Sequence, residues 1–132
     1  MKIIVDTCIW SLALRRSNHN VSFVQANQLK ELIFERRVEL LGAVRQELLS
    51  GIAMNQQFEK LKVYLRAFPD LKLIDEDYEL AAHYFNRCRS KGIQGSSTDF
   101  LICAAATQRD MAIFTIDKDF QLFTQEIPVK LF

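Results

Sequence analysis

The sequence predicts an α/β fold: a central, mainly parallel sheet of about five strands, with helices covering both faces. Short β-branched apolar runs alternate with longer stretches of helical periodicity along the whole chain. The intervening stretches are long enough to serve as the crossovers that parallel strands require. With 132 residues, 49% of them hydrophobic and ten of them Phe, the chain suits one domain over residues 1–132 with a sizeable core.

The first run, Lys2–Val5, ends at Asp6 and passes into a short helix. From Ser22 to Arg36, Phe23, Ala26, Leu29 and Ile33 recur at helical spacing. Val38–Leu41 is the second strand-like run, and a short helix over Ala43–Leu49 follows. Val44, Leu48 and Ile52 form its buried stripe, with Glu47 at the border. A helix over Gln56–Ala67 precedes Pro69 and a third run, Leu71–Ile74, expected at the sheet edge. The next helix, Glu76–Arg89, carries Tyr78, Ala81, Ala82, Phe85 and Cys88 on one face. The stretch Ser97–Arg109 is apolar around most of its circumference, which predicts a central, buried helix. Ala112–Thr115, a short helix over Lys118–Phe123 and the run Val129–Phe132 complete the order.

A net charge of +1 gives no strong overall field toward nucleic acid or membrane, so a polyanion must be held by local patches or a bound cation. Cys8, Cys88 and Cys103 are odd in number and lack CxxC spacing, which argues against a disulfide framework or a zinc site. They read as small buried hydrophobes in a reducing cytosol. The first apolar run is too short for a secretory signal, and no segment approaches the ~20 apolar residues of a membrane span. The expected setting is soluble and cytoplasmic, with no membrane partner.

Acids punctuate the strand ends. In "KIIVDTCIW" Asp6 follows the first strand, and in "AIFTIDKDF" Asp117 and Asp119 follow the fourth run. If these two strands are neighbours, their ends lie about 5 Å apart, and Asp6 faces Asp117 beyond the sheet edge. Ligands gather at that edge in open parallel sheets. Glu47, in "AVRQELLSG", fits the same corner. Asp99, in "GSSTDFLICAAA", sits in the first turn of the central helix, whose start periodicity alone does not place. Each acid has an ordinary structural use. Asp6 can cap a helix, Asp99 can form a capping box with Ser96, Glu47 can be solvated, and Asp117 can begin a turn. Together they are harder to explain, because crowded carboxylates repel and raise one another's pKa. A hard cation such as Mg²⁺ or Mn²⁺ resolves the repulsion with oxygen ligands alone. Hydrolysis of a nucleic-acid backbone is the matching reaction class.

The pieces "IIVDTCIW", "VRQELLSGI", "SSTDFLICAAA" and "IFTIDKDF" resemble, in order, a PIN-domain ribonuclease, and within that family the VapC-type toxins of toxin–antitoxin systems. The resemblance implies a three-layer α/β/α fold and a catalytic set of Asp6, Glu47, Asp99 and Asp117. Of these, Asp6, Asp99 and Asp117 are the metal ligands for Mg²⁺, with Mn²⁺ as alternative. It also implies that the Asp99 helix joins the pocket. Thr115 matches a hydroxyl position beside the metal, while Thr7 is a supporting hydrogen-bond donor. Asp119 is either an orienting residue or a cap of the last helix.

The partners it implies are an RNA substrate, a cognate VapB-type antitoxin and a second copy in a homodimer. Arg15 and Arg16 are the preferred phosphate contacts, with Arg36–Arg37 and Arg87–Arg89–Lys91 as further basic patches. Asp75 and Asp77 read as helix-starting residues, and His19 and His83 as surface or structural. Competing readings are a PIN-like RNA-processing nuclease without a toxin role and a non-catalytic RNA-binding PIN module. The second requires a missing acid, and none is missing. A receiver-like phospho-acceptor lacks its early acidic pair here, and a flap-type DNA nuclease is usually a longer chain.

Overall fold

The computed structural model describes residues 1–14 and 23–132. Its elements run β1 (Ile3–Val5), α1 (Thr7–Leu14), α2 (Phe23–Phe34), β2 (Val38–Glu39), α3 (Gly42–Leu49) and α4 (Asn55–Leu65). Then follow α5 (Asp75–Ser90), α6 (Ser97–Gln108), β3 (Ala112–Phe114), α7 (Asp119–Phe123) and β4 (Lys130–Leu131). Arg15, Arg16 and His19 lie outside the described residues, as does the predicted helix start at Ser22.

Four strands in the order β2-β1-β3-β4 form a wholly parallel sheet. Ile3, Ile4 and Val5 of the central β1 are fully buried, as a strand covered on both faces must be. The sheet has one strand fewer than about five because Leu71–Ile74 does not join it. That segment is reduced to a single parallel bridge, Leu40 to Asp70, and a hydrogen bond of 2.8 Å from Leu71 N–H to the Leu40 carbonyl. Its hydrophobes alternate, with Leu71 and Leu73 half-buried and Lys72 and Ile74 exposed. Asp75 then begins α5 directly.

Helices flank the sheet. On one side of the chain order, α1 packs on α2 and α3; on the other, α5 packs on α6. The expectation of a buried central helix holds, since Phe100 and Ile102 through Ala106 of α6 are all buried. Aromatic rings close the core around its first turn: Phe100 contacts both Phe85 and Phe123, at centroid separations of 5.5 and 4.7 Å.

One acid is spent on holding helices together. Asp77 is fully buried near the start of α5, and the Arg109 guanidinium donates to both its oxygens at 2.7 and 2.8 Å. Arg109 also donates to the carbonyls of Lys72 (2.9 Å) and Ala105 (3.1 Å). The Arg109 hydrogen bonds hold the Asp77 carboxyl down, to about 2, against the cost of burial. Asp77 accepts from Ile74 N–H at 2.8 Å as well, so it starts its helix as the sequence suggested.

Candidate active site

The register β1 to β3, with Val5 beside Phe114, places the residues just past both strands next to each other. Asp6 N–H donates to the Phe114 carbonyl at 2.9 Å, extending the ladder by one step. The Asp6 side chain is only 5% exposed. Its Oδ1 accepts from Thr7 N–H at 2.8 Å. Its Oδ2 accepts from the Thr115 hydroxyl at 2.8 Å. Thr115 Oγ1 in turn accepts from Asp117 N–H at 3.0 Å, so one hydroxyl links the carboxylate after β1 to the backbone at Asp117.

Two further acids come from helices. Glu47, exposed on α3, accepts from Thr7 Oγ1 at 2.6 Å. Asp99 lies at the third position of α6 and forms the capping box with Ser96: Ser96 N–H donates to Asp99 Oδ2 at 2.9 Å, and Asp99 N–H donates to Ser96 Oγ at 3.1 Å. That box does not exclude a second use, because Asp99 also feels the charges of Asp6 and Asp117. Gly92, at φ 76°, ends α5 in the left-handed region, with Ile93 N–H returning to the Cys88 carbonyl at 2.9 Å. That turn sends the chain toward α6 and its first-turn acid.

The electrostatics mark Asp6 and Asp99. Burial raises the Asp6 carboxyl above its ordinary range, and the Asp117 charge adds to this; hydrogen bonds from Thr115, Thr7 and Cys8 pull it back. Asp99 is raised by burial first, then by Asp6 and Asp117, with Ser96 opposing. Among the described residues, no ion pair reaches Asp6, Glu47, Asp99 or Asp117.

Other sequence-derived candidates fall elsewhere. Asp119 is exposed at the start of α7, and its amide, not its carboxylate, meets Asp117 Oδ1 at 2.9 Å. Arg37 is tied to Glu35 (3.0 Å) and the Met1 carbonyl (2.8 Å), and Arg87 to Glu126 (3.2 Å). His83 is exposed. Cys8 corrects the sequence reading. It is half-buried, and its Sγ lies 3.4 Å from both Asp6 Oδ2 and Thr115 Oγ1, while Cys88 and Cys103 are fully buried as expected. The available signal was its place in the first turn of a helix, two residues after a strand-end acid.

The donor chemistry suits a hard divalent cation: oxygen ligands, coupled negative charges and no cation ion-paired with these acids among the described residues. Among the described residues, no three His, Cys, Asp or Glu side chains converge into a ready-made coordination shell.

A parallel sheet with acids gathered past adjoining strand ends defines an α/β domain that works at the carboxyl edge of its sheet. The sequence pattern of the PIN domain matches residues 3–124, and the chain belongs to that family. PIN domains are generally nucleases. No curated protein sequence matches the chain. Among solved structures, FitAcB from Neisseria gonorrhoeae is similar over 98% of this chain and 96% of its own, with TM-score 0.77 and 21% identity. VapBC2 from Rickettsia felis, bound to a DNA fragment from its promoter, is similar over 100% and 98%, with TM-score 0.79 and 16% identity. VapBC-1 from nontypeable Haemophilus influenzae covers 100% and 97%, with TM-score 0.69 and 17% identity. At these identities the likeness is one of fold. Among the described residues, no helix is long and apolar enough to cross a membrane.

Proposed function

We propose that the chain is a single PIN domain acting as a Mg²⁺- or Mn²⁺-dependent endoribonuclease, the toxin of a VapBC-type pair. The observation that carries the nuclease reading is the pair Asp6 and Asp117 past the adjoining ends of β1 and β3, linked through the Thr115 hydroxyl, in a PIN-family chain. Asp6 with Asp99 and Asp117 would hold the ion, directly or through water. When bound, it supplies positive charge against the phosphodiester and its leaving oxygen.

The protein's own groups do the rest. Thr115 and Thr7 fix the two oxygens of Asp6, so the carboxylate does not rotate. Thr7 also restrains Glu47. An acid of this group orients the attacking water and takes its proton as oxygen adds to phosphorus in line. The products are a 5′-phosphate and a 3′-hydroxyl.

The toxin assignment is supported by the fold shared with FitAcB and the two VapBC complexes. A cognate antitoxin and a homodimer are also consistent with the exposed apolar side chains Val24, Phe34, Val63 and Tyr64. The setting is cytoplasmic. The direct test is RNA cleavage by the wild type and Asp6→Asn in Mg²⁺, Mn²⁺ or EDTA. Metal-dependent cleavage is expected, lowered at least about a hundredfold by the substitution. Equal cleavage by both proteins, or full activity in EDTA, refutes the nuclease mechanism. Growth arrest on expressing wild type but not Asp6→Asn separates a toxin from an RNA-processing nuclease.

A further inference from the structure

At the turn from α5 into α6, the helix whose first turn carries Asp99, lies a cleft of about 280 Å³ lined by Phe85, Arg89, Ile93, Gln94, Gly95 and Phe100. We infer that this cleft receives one unpaired nucleobase of the RNA strand, next to the phosphate that is cut. The inference rests on the nuclease reading and adds a specificity site to it.

The lining has the chemistry of single-strand recognition. Unstacked bases stack on aromatic rings or on Arg planes and are read through hydrogen bonds to their edges. Phe85 is half-buried and braced edge-on by Phe100 at 5.5 Å, so its ring is held rather than free. The Arg89 guanidinium carbon lies 5.9 Å from the Phe85 centroid. Gln94 is exposed and brings a carboxamide, which can both donate to and accept from a base edge.

The basic run at the end of α5 divides its labour. Arg87 is engaged with Glu126, whereas Arg89 turns over the aromatic ring. A plain phosphate contact does not require that second arrangement.

Position ties the cleft to the chemistry. Gly95 lines it, and the next residue, Ser96, donates its N–H to Asp99 Oδ2 at 2.9 Å. Phe100, part of the cleft wall, directly follows Asp99. A base seated there leaves its sugar–phosphate at the first turn of α6. Gly95 also lets the wall pack closely against the Phe100 and Phe123 rings. A Cβ at this residue would come within 2.6 Å of Phe123 Cζ and 2.9 Å of Phe100 Cε2.

The test uses the full chain in EDTA, with short fluorescein-labelled single-stranded RNAs of A, C, G or U followed by anisotropy. Arg89→Ala is expected to weaken binding roughly tenfold, the size of one lost stacking contact. Arg89→Lys is expected to weaken it similarly, because Lys keeps the charge but not the plane. Gln94→Ala is expected to change the preference among the four RNAs and, with metal restored, the base found beside the cut when ends are sequenced. Binding by Arg89→Lys equal to wild type makes Arg89 a phosphate contact and overturns the stacking site. Unchanged affinity and base preference in all three variants, with wild-type cleavage intact, overturns the cleft alone. A wild type that neither binds nor cuts RNA removes the nuclease reading and the cleft together.

Discussion

Asp77→Asn separates a structural acid from the candidate active site. The wild-type carboxylate is fully buried and accepts both arms of Arg109. Asn keeps the shape, loses the charge and presents an N–H₂ group to a guanidinium that can only donate. Breaking a buried pair costs about 3–5 kcal/mol. The lower end, about 3 kcal/mol, applies here, because Arg109 is 20% exposed and keeps the Lys72 and Ala105 carbonyls. With a urea m-value of about 2 kcal/mol/M, the midpoint falls by about 1.5 M.

The pH dependence has a definite sign. A carboxyl held at about 2 instead of 3.8 stabilises the fold above its unfolded value, and that contribution is lost as pH falls through the folded one. It amounts to about 2 kcal/mol. The gap between wild type and Asp77→Asn should therefore narrow between pH 4 and pH 2, from about 3 to about 1 kcal/mol. RNA cleavage per folded molecule should be unchanged. Urea midpoints that differ by the same amount at pH 7 and pH 2 refute the ion-pair account. A large loss of cleavage by a fully folded variant moves Asp77 into the functional set.

Asp6→Asn should have the same or a higher thermal midpoint at pH 7, since it removes a buried carboxylate whose charged form the fold disfavours; a marked fall in scanning calorimetry refutes this. Thr115→Val removes the donor to Asp6 and the acceptor for Asp117 N–H, and should lower kcat roughly tenfold to a hundredfold with KM little changed in steady-state RNA cleavage. Thr7→Val should lower kcat about tenfold while leaving stability within about 1 kcal/mol in urea titrations, because Glu47 is exposed. Gly95→Ala should destabilise by about 1–3 kcal/mol in the same titrations, as Phe100 and Phe123 have no room to yield.

Periodicity and strand patterning reached most of the fold, because burial acts on every residue of an element. The all-apolar run in β1 and the almost wholly apolar α6 read directly as the covered centre of a parallel sheet. Leu71–Ile74 was misread as a strand because four alternating residues carry too little information about pairing. Whether they join β2 depends on the path of the chain after α4, and one bridge at Asp70 is all that results. The placement of Asp99 was equally out of reach of periodicity. It depends on the left-handed turn at Gly92 and the close packing at Gly95, which act through the loop and not the helix. Composition treats Cys8 as a buried hydrophobe; it does pack on the core, half-buried, but its Sγ also meets the oxygens of Asp6 and Thr115, which composition does not register.

The two buried aspartates show what a sequence withholds. Asp6 and Asp77 are both buried aspartates at helix starts, Asp6 directly before α1 and Asp77 third in α5, and each accepts a backbone N–H with a carboxylate oxygen. They differ in the charge of what faces them. Arg109, 32 residues away in the chain, neutralises Asp77 and lowers its pKa. The Asp6 pKa is raised by burial and, further, by the charge of Asp117, while the neutral donors Thr115, Thr7 and Cys8 only partly pull it back. A fold that needed only helix caps could supply both with cations or use Asn. Leaving Asp6 charged, buried and next to Asp117 costs stability, and a protein bears such a cost where something outside the chain brings the compensating charge.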